Sequence, residues 1–150
     1  MNSILDEHWS RGFCPIINGI VFSSGKIDWV NIELRSTPGS TQFHLTPGTS
    51  TSLEDLEKED DLEWTTVITL SECQSQRLNL KVICGEGGLG SDGFVAVSEF
   101  SSKDLLWIAF FECSNPFIKI HLQNGVVTAE TTLGNSWVFP VFSPEKVTVK

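Results

Sequence analysis

Apolar and polar positions alternate with a period of two along most of this chain, and turn signals cut the alternation at short intervals. That pattern predicts half-buried antiparallel strands rather than helices. Strands are expected over 20–23, 27–35, 41–45, 64–70, 77–84, 94–100, 105–112, 117–122, 126–130, 137–142 and 147–149. Within 27–35, Val30, Ile32 and Leu34 point one way and Asn31, Glu33 and Arg35 the other. The run Leu105-Leu106-Trp107-Ile108-Ala109-Phe110-Phe111 does not alternate, which suits a strand covered on both faces. Ser24-Gly25-Lys26, Thr37-Pro38-Gly39, Ser101 to Asp104 and Gln123-Asn124-Gly125 read as turns, and Pro47-Gly48 reads as a break.

Two segments depart from the strand period. Asn2 or Ser3 caps a short helix reaching about Arg11, with Asp6 three residues beyond Ser3 as in a capping box and Gly12 as its stop. Residues 49–61 fit two descriptions. Ser52 with Asp55 can start a helix carrying Leu53 and Leu56, while the charge density suits a solvated loop equally well. The expected fold class is α+β, mainly antiparallel β. It is one large bent sheet or a sandwich with a short N-terminal helix, and residues 1–150 form a single domain.

Composition narrows this further. At 150 residues, 40% hydrophobic, with five Trp and ten Phe, the chain is expected to fold around a real core. The longest apolar run is too short to span a bilayer as a helix. Asp6 and Glu7 stand where a signal peptide would carry basic and then apolar residues, so a cytoplasmic location is expected. Cys14, Cys73, Cys84 and Cys113 lack metal-ligand or redox spacing and, with three of the four inside or beside apolar strands, are expected as buried free thiols. The net charge is −9 and is unevenly spread: Glu54, Asp55, Glu57, Glu59, Asp60, Asp61 and Glu63, against Lys58, hold six of those nine charges. Such a field disfavours nucleic acid and anionic membranes and favours a cationic partner.

The candidate chemistry centres on Gly85-Glu86-Gly87-Gly88-Leu89-Gly90-Ser91-Asp92-Gly93. Its letters match the dinucleotide-binding fingerprint and one copy of a calcium-binding nonapeptide. The first needs a helix after the last glycine, but Phe94-Val95-Ala96-Val97 reads as a strand. The second needs tandem copies to complete a coordination sphere. The expectation is a strand–loop–strand passage with no cofactor and no metal. His8, His44 and His121 have no ligand partner at suitable spacing, and His44 and His121 fall on the polar faces of their strands. Trp64, Trp107 and Trp137 are expected to pack in the core. Cys84 with a histidine leaves a hydrolase open, and exposed Trp residues leave a small-ligand or carbohydrate-binding β domain open.

The order of the glycine stretch through Val97, then Leu106 to Phe111, Ser114-Asn115-Pro116-Phe117 and Trp137-Val138-Phe139-Pro140, resembles bacterial immunity proteins. These accompany polymorphic toxins, including those of contact-dependent growth inhibition. The resemblance covers roughly residues 80–150. It implies a small cytoplasmic, non-enzymatic inhibitor that binds one cognate toxin domain, commonly a nuclease of the ribonuclease type, as a monomer in a 1:1 complex. Its expected contact residues are Glu54, Asp55, Glu57, Glu59, Asp60, Asp61 and Glu63, with Glu86 and Asp92 as secondary candidates on the glycine loop.

Overall fold

The alternating segments close into two sheets in which every pairing is antiparallel, as seen in a computed structural model that describes residues 2–150. Helix α1 (Ser3–Ser10) leads into β1 (Phe13–Pro15), β2 (Gly19–Phe22), β3 (Lys26–Thr37) and β4 (Ser40–Ser52). Helix α2 (Leu53–Lys58) precedes β5 (Trp64–Ser75), β6 (Leu80–Gly87), β7 (Gly93–Glu99), β8 (Leu105–Phe111), β9 (Phe117–Gln123), β10 (Val126–Thr131), β11 (Ser136–Pro140) and β12 (Thr148–Val149). The larger sheet has eight strands in the order β1-β5-β6-β7-β8-β2-β3-β4, and the smaller has four in the order β12-β11-β10-β9. The fold is thus mainly antiparallel β with a short N-terminal helix, as the alternation predicts.

The strand period sorts the larger sheet's side chains into two cores. Val95, Val97, Trp107, Ala109 and Phe111 face the smaller sheet and meet Phe117, Ile120, Trp137 and Phe139 there. Their neighbours Phe94, Ala96, Ile108 and Phe110 face the other way, toward Leu5 of α1, Leu53 of α2 and Cys14. Strand β8 is therefore buried on both faces, which explains its unbroken apolar run. Trp137 anchors the inner core, with the rings of Phe111 at 4.7 Å and Phe43 at 5.3 Å. Trp107 lies beside it and donates its indole N–H to the carbonyl of Val141 at 2.8 Å.

Chain connectivity shows that the larger sheet is strongly curled. β1 and β2 stand five inter-strand gaps apart in the strand order, about 24 Å on a flat sheet. The link from Pro15 to Gly19 reaches only about 14 Å when fully extended. The sheet must fold back so that β1 approaches β8, and the two do touch. On the other side, the four-stranded sheet is about 14 Å across, yet β9 packs on β5 and β12 on β4, six gaps apart. Two ladder slips allow the curl to change sides, one beside Trp29 in β3 and one at Leu70 in β5. Ile27, Trp29 and Val67 lie in or against the outer core before the slips, while Val30, Ile32 and Cys73 lie in or against the inner core after them.

Of the two expected helix caps it is Asn2 that serves, its side chain accepting from the amides of Ile4 and Leu5 at 3.0 and 3.1 Å. Several other boundaries differ from those expected. β1 has no counterpart among the expected strands. Pro47-Gly48 does not break β4, which runs through it to Ser52. Pro is accommodated there because β4 is an edge strand with no outer neighbour requiring its missing N–H. β5 continues past Leu70 to Ser75, so residues 77–79, expected to start the next strand, instead form its turn. Of the two descriptions of residues 49–61, neither covers the whole: 49–52 complete β4, and α2 follows with Ser52 as its cap, accepting from the amide of Asp55 at 3.2 Å.

Candidate functional site

Residues 53–63 form a strap over the outer core. Their apolar members Leu53, Leu56 and Leu62 turn inward to that core. The amide of Leu53 donates to the carbonyl of Gly25 at 2.9 Å, and the carbonyl of Glu63 accepts from the amide of Ile16 at 2.9 Å. With both ends held, Glu54, Asp55, Glu57, Glu59, Asp60, Asp61 and Glu63 are left exposed on the outer side. Among the described residues none of the seven takes part in an ion pair; those formed are Arg11–Glu7, Lys26–Asp28, Arg35–Glu33 and Lys81–Glu72. A short helix and a turn thus display a carboxylate row that the chain's own cations do not neutralise.

The glycine stretch is a strand–loop–strand passage, as expected. Gly85 and Gly87 belong to β6, Gly93 opens β7, and residues 88–92 form the loop. Its glycines serve two different needs. Gly90 has φ +98°, where side chains are strained. Gly85 is packed instead: a Cβ there would collide with the backbone carbonyl of Ile68. Glu86 is half-buried and stands opposite Ile68 in the β5–β6 ladder.

Asp92 is a correction. It is 0% exposed, and its two carboxylate oxygens accept the amides of Gly87 at 3.0 Å and Leu89 at 3.2 Å. Its charge is spent inside the loop, so it braces the loop instead of offering a contact. The amide of Gly88 donates to the hydroxyl of Thr65 at 2.9 Å, which ties the loop to the start of β5. Leu89 is left 48% exposed at the tip.

The thiols are free, with Cys14 and Cys84 buried. Burial pushes the Cys84 thiol up to about 12, and its Sγ donates to the carbonyl of Phe117 at 3.4 Å. Burial raises Cys14 well above the ordinary thiol range, with the Asp92 carboxylate adding to it. Burial also raises Cys73 and Cys113. All four are shifted away from the thiolate that nucleophilic chemistry requires. His44 pairs across the ladder with Glu33, and His121 with Thr128; both are exposed. Neither hydrogen-bonds Cys84.

Trp107 and Trp137 are buried as expected, while Trp64 is only half-buried. One face of Trp64 is taken by His8, stacked at 3.9 Å with a 9° interplanar angle. Trp9 lines a cleft of about 320 Å³ with Ile83, Phe100 and Leu105, and with Lys81, Glu99 and Lys103.

Sequence reasoning missed the apolar residues on β5. Ile68 is 58% and Leu70 44% exposed, at the slip where the strand passes from one core to the other. The signal was present in Val67-Ile68-Thr69-Leu70, whose alternation leaves Ile68 and Leu70 on the side opposite Val67. No helix among the described residues is long and apolar enough to cross a membrane. No protein-family model, curated protein or solved structure matches this chain.

Proposed function

We propose that this chain is a non-enzymatic immunity protein that binds a basic, nuclease-type toxin domain as a 1:1 complex and neutralises it by occluding its active site. The observation that carries this reading is the strap: seven exposed carboxylates on a segment fixed at both ends, with no ion-pair partner among the described residues. A fixed row of charge meets a cationic groove without the ordering cost of a mobile tail. Nuclease grooves that hold phosphates are basic, so the same groove receives carboxylates. Complementary fields also speed encounter, toward about 10⁸–10⁹ M⁻¹s⁻¹ at low salt. That speed favours an inhibitor that must act before the toxin does. A cytoplasmic location belongs to this proposal, because the targets of a nuclease lie there.

The test is calorimetric titration of the chain, and of its Asp55→Lys, Asp60→Lys, Asp61→Lys triple variant, into a panel of purified basic ribonuclease toxin domains. The titrations are run at about 50 and 200 mM salt. The wild type is expected to bind one domain tightly and lose affinity with salt, and the variant to lose both the affinity and the salt slope. Equal affinity and equal slope for the two proteins would remove the strap from the mechanism. The cleft beside Trp9 favours a second reading, a small ligand held against the indole. Its check is quenching of Trp fluorescence by small aromatic ligands and sugars, abolished in Trp9→Ala.

A further inference from the structure

One side of β5 is open. β1 pairs with it only at Trp64, Thr65 and Thr66, and the amide of Val67 donates to the carbonyl of Gly12 at 3.0 Å. From Ile68 to Ser75, the only ladder partner among the described residues is β6. β9 packs on β5 without pairing with it. Open edges are ordinarily blunted by proline, lysine or coverage. β5 contains neither proline nor lysine, and it exposes Ile68 and Leu70. Leu89 adds a third exposed apolar side chain, on the loop that Thr65 ties to the start of the same strand.

The surrounding charge selects the occupant. Glu63 precedes the strand and Glu86 stands opposite Ile68, while Glu72 is already paired with Lys81 of β6 at 3.4 Å. The acidic strap leads into this strand and ends at Glu63, five residues before Ile68. A second copy of the chain would bring its own strap against the first, so like charges disfavour self-pairing. We infer that the open edge of β5 accepts an extended, basic segment of the protein partner as an added strand. Apolar side chains of that segment rest on Ile68 and Leu70, and its lysines or arginines face Glu63 and Glu86. Main-chain hydrogen bonds supply attachment, and alternate side chains supply specificity. This deepens the immunity reading and rests on its cationic partner.

The probe is an octapeptide of alternating lysine and valine. Two controls accompany it: the same peptide N-methylated on alternate amides, and a glutamate–valine version. Hydrogen exchange of the intact chain is followed residue by residue. The lysine–valine peptide is expected to slow exchange of amides in residues 68–75 at least tenfold, and the two controls to leave it unchanged. Ile68→Lys and Leu70→Lys, both at exposed positions, are each expected to abolish the protection, while Thr46→Lys on β4 retains it. Protection by the N-methylated or acidic peptide would overturn the inference. So would protection confined to β4, or concentration-dependent protection without any peptide. Against the nuclease domain the two proposals separate. Binding lost in the strap variant but kept in Ile68→Lys overturns the edge and leaves the charge reading standing. Binding lost in Ile68→Lys but kept in the strap variant does the reverse.

Discussion

The two margins of the eight-stranded sheet solve the same problem in opposite ways. β4 forms one margin. It is rich in serine and threonine, carries Pro47 without an N–H to offer, and turns Phe43 and Leu45 into the inner core. Its far end is covered by β12 and by Asn135, whose amide donates to the carbonyl of Thr41 at 3.2 Å. The β5 margin, beyond the three residues paired with β1, is also approached by the smaller sheet, through β9, but it carries no proline, and its slip leaves Ile68 and Leu70 exposed. Both strands border a place where the curl changes sides, so curvature alone does not explain the contrast. What differs is how residues were placed on that curvature. An edge left apolar beside an acidic strap is the margin suited to a partner, and the guarded one is suited to solvent.

Four perturbations would break or sharpen this contrast. The largest effect is expected from Gly85→Ala, which drives a Cβ into the carbonyl of Ile68 and splits the β5–β6 ladder where the edge is exposed. Loss of about 3 kcal/mol is expected in urea unfolding, at the upper end for forced overpacking. An unchanged midpoint would mean that the β5 margin is already loose. Asp92→Ala comes next, at about 2 kcal/mol, because the Gly87 and Leu89 amides lose a charged acceptor. Faster exchange of those two amides, with β4 unaffected, is the signature.

Alkali should loosen the β5 margin next. Cys84 stands opposite Ser71, and its thiol is held up at about 12 against an ordinary 9.0. The folded state therefore binds this proton more tightly than the unfolded state does. The stability it contributes is complete below about pH 9 and is lost as pH rises from there toward 12. Thermal unfolding of Cys84→Ala against wild type should show the difference shrinking through that window. The smallest effect is expected from Pro47→Val, within about 0.5 kcal/mol in stability because the site is exposed. Its consequence should appear in sedimentation instead, as self-association of a β4 edge now supplied with an N–H. A monomer at every concentration would show that proline is not what guards that margin.

Much of this architecture was legible as alternation. β7 to β11 follow from period and turns, and Asn124-Gly125 takes the positive φ values, 53° and 73°, that such a pair permits. The double burial of β8 follows from its unbroken apolar run. What was not legible depends on distant neighbours. β1 is too short to show a period, and only its partner in β5 makes it a strand. Pro47-Gly48 punctuates a sequence but is tolerated at an edge, and edge position is a property of the whole sheet. The slips beside Trp29 and at Leu70 are set by which core each half-strand covers. For the candidate site, the acidic strap could be read directly, because charge density is local. Asp92 could not, because two amides of its own loop consume its carboxylate, and only the folded turn brings them there.

The place of β2 between β3 and β8 has a consequence in time. Gly19 to Phe22 hydrogen-bond along Trp107 to Phe110, so the second strand waits for a segment about 90 residues later in the chain. At ordinary elongation rates that delay is on the order of ten seconds. During it the apolar N-terminal strands have no finished sheet to join, and they depend on whatever shields nascent chains. A ribosome that stalls before β8 would release a fragment in which neither core can close.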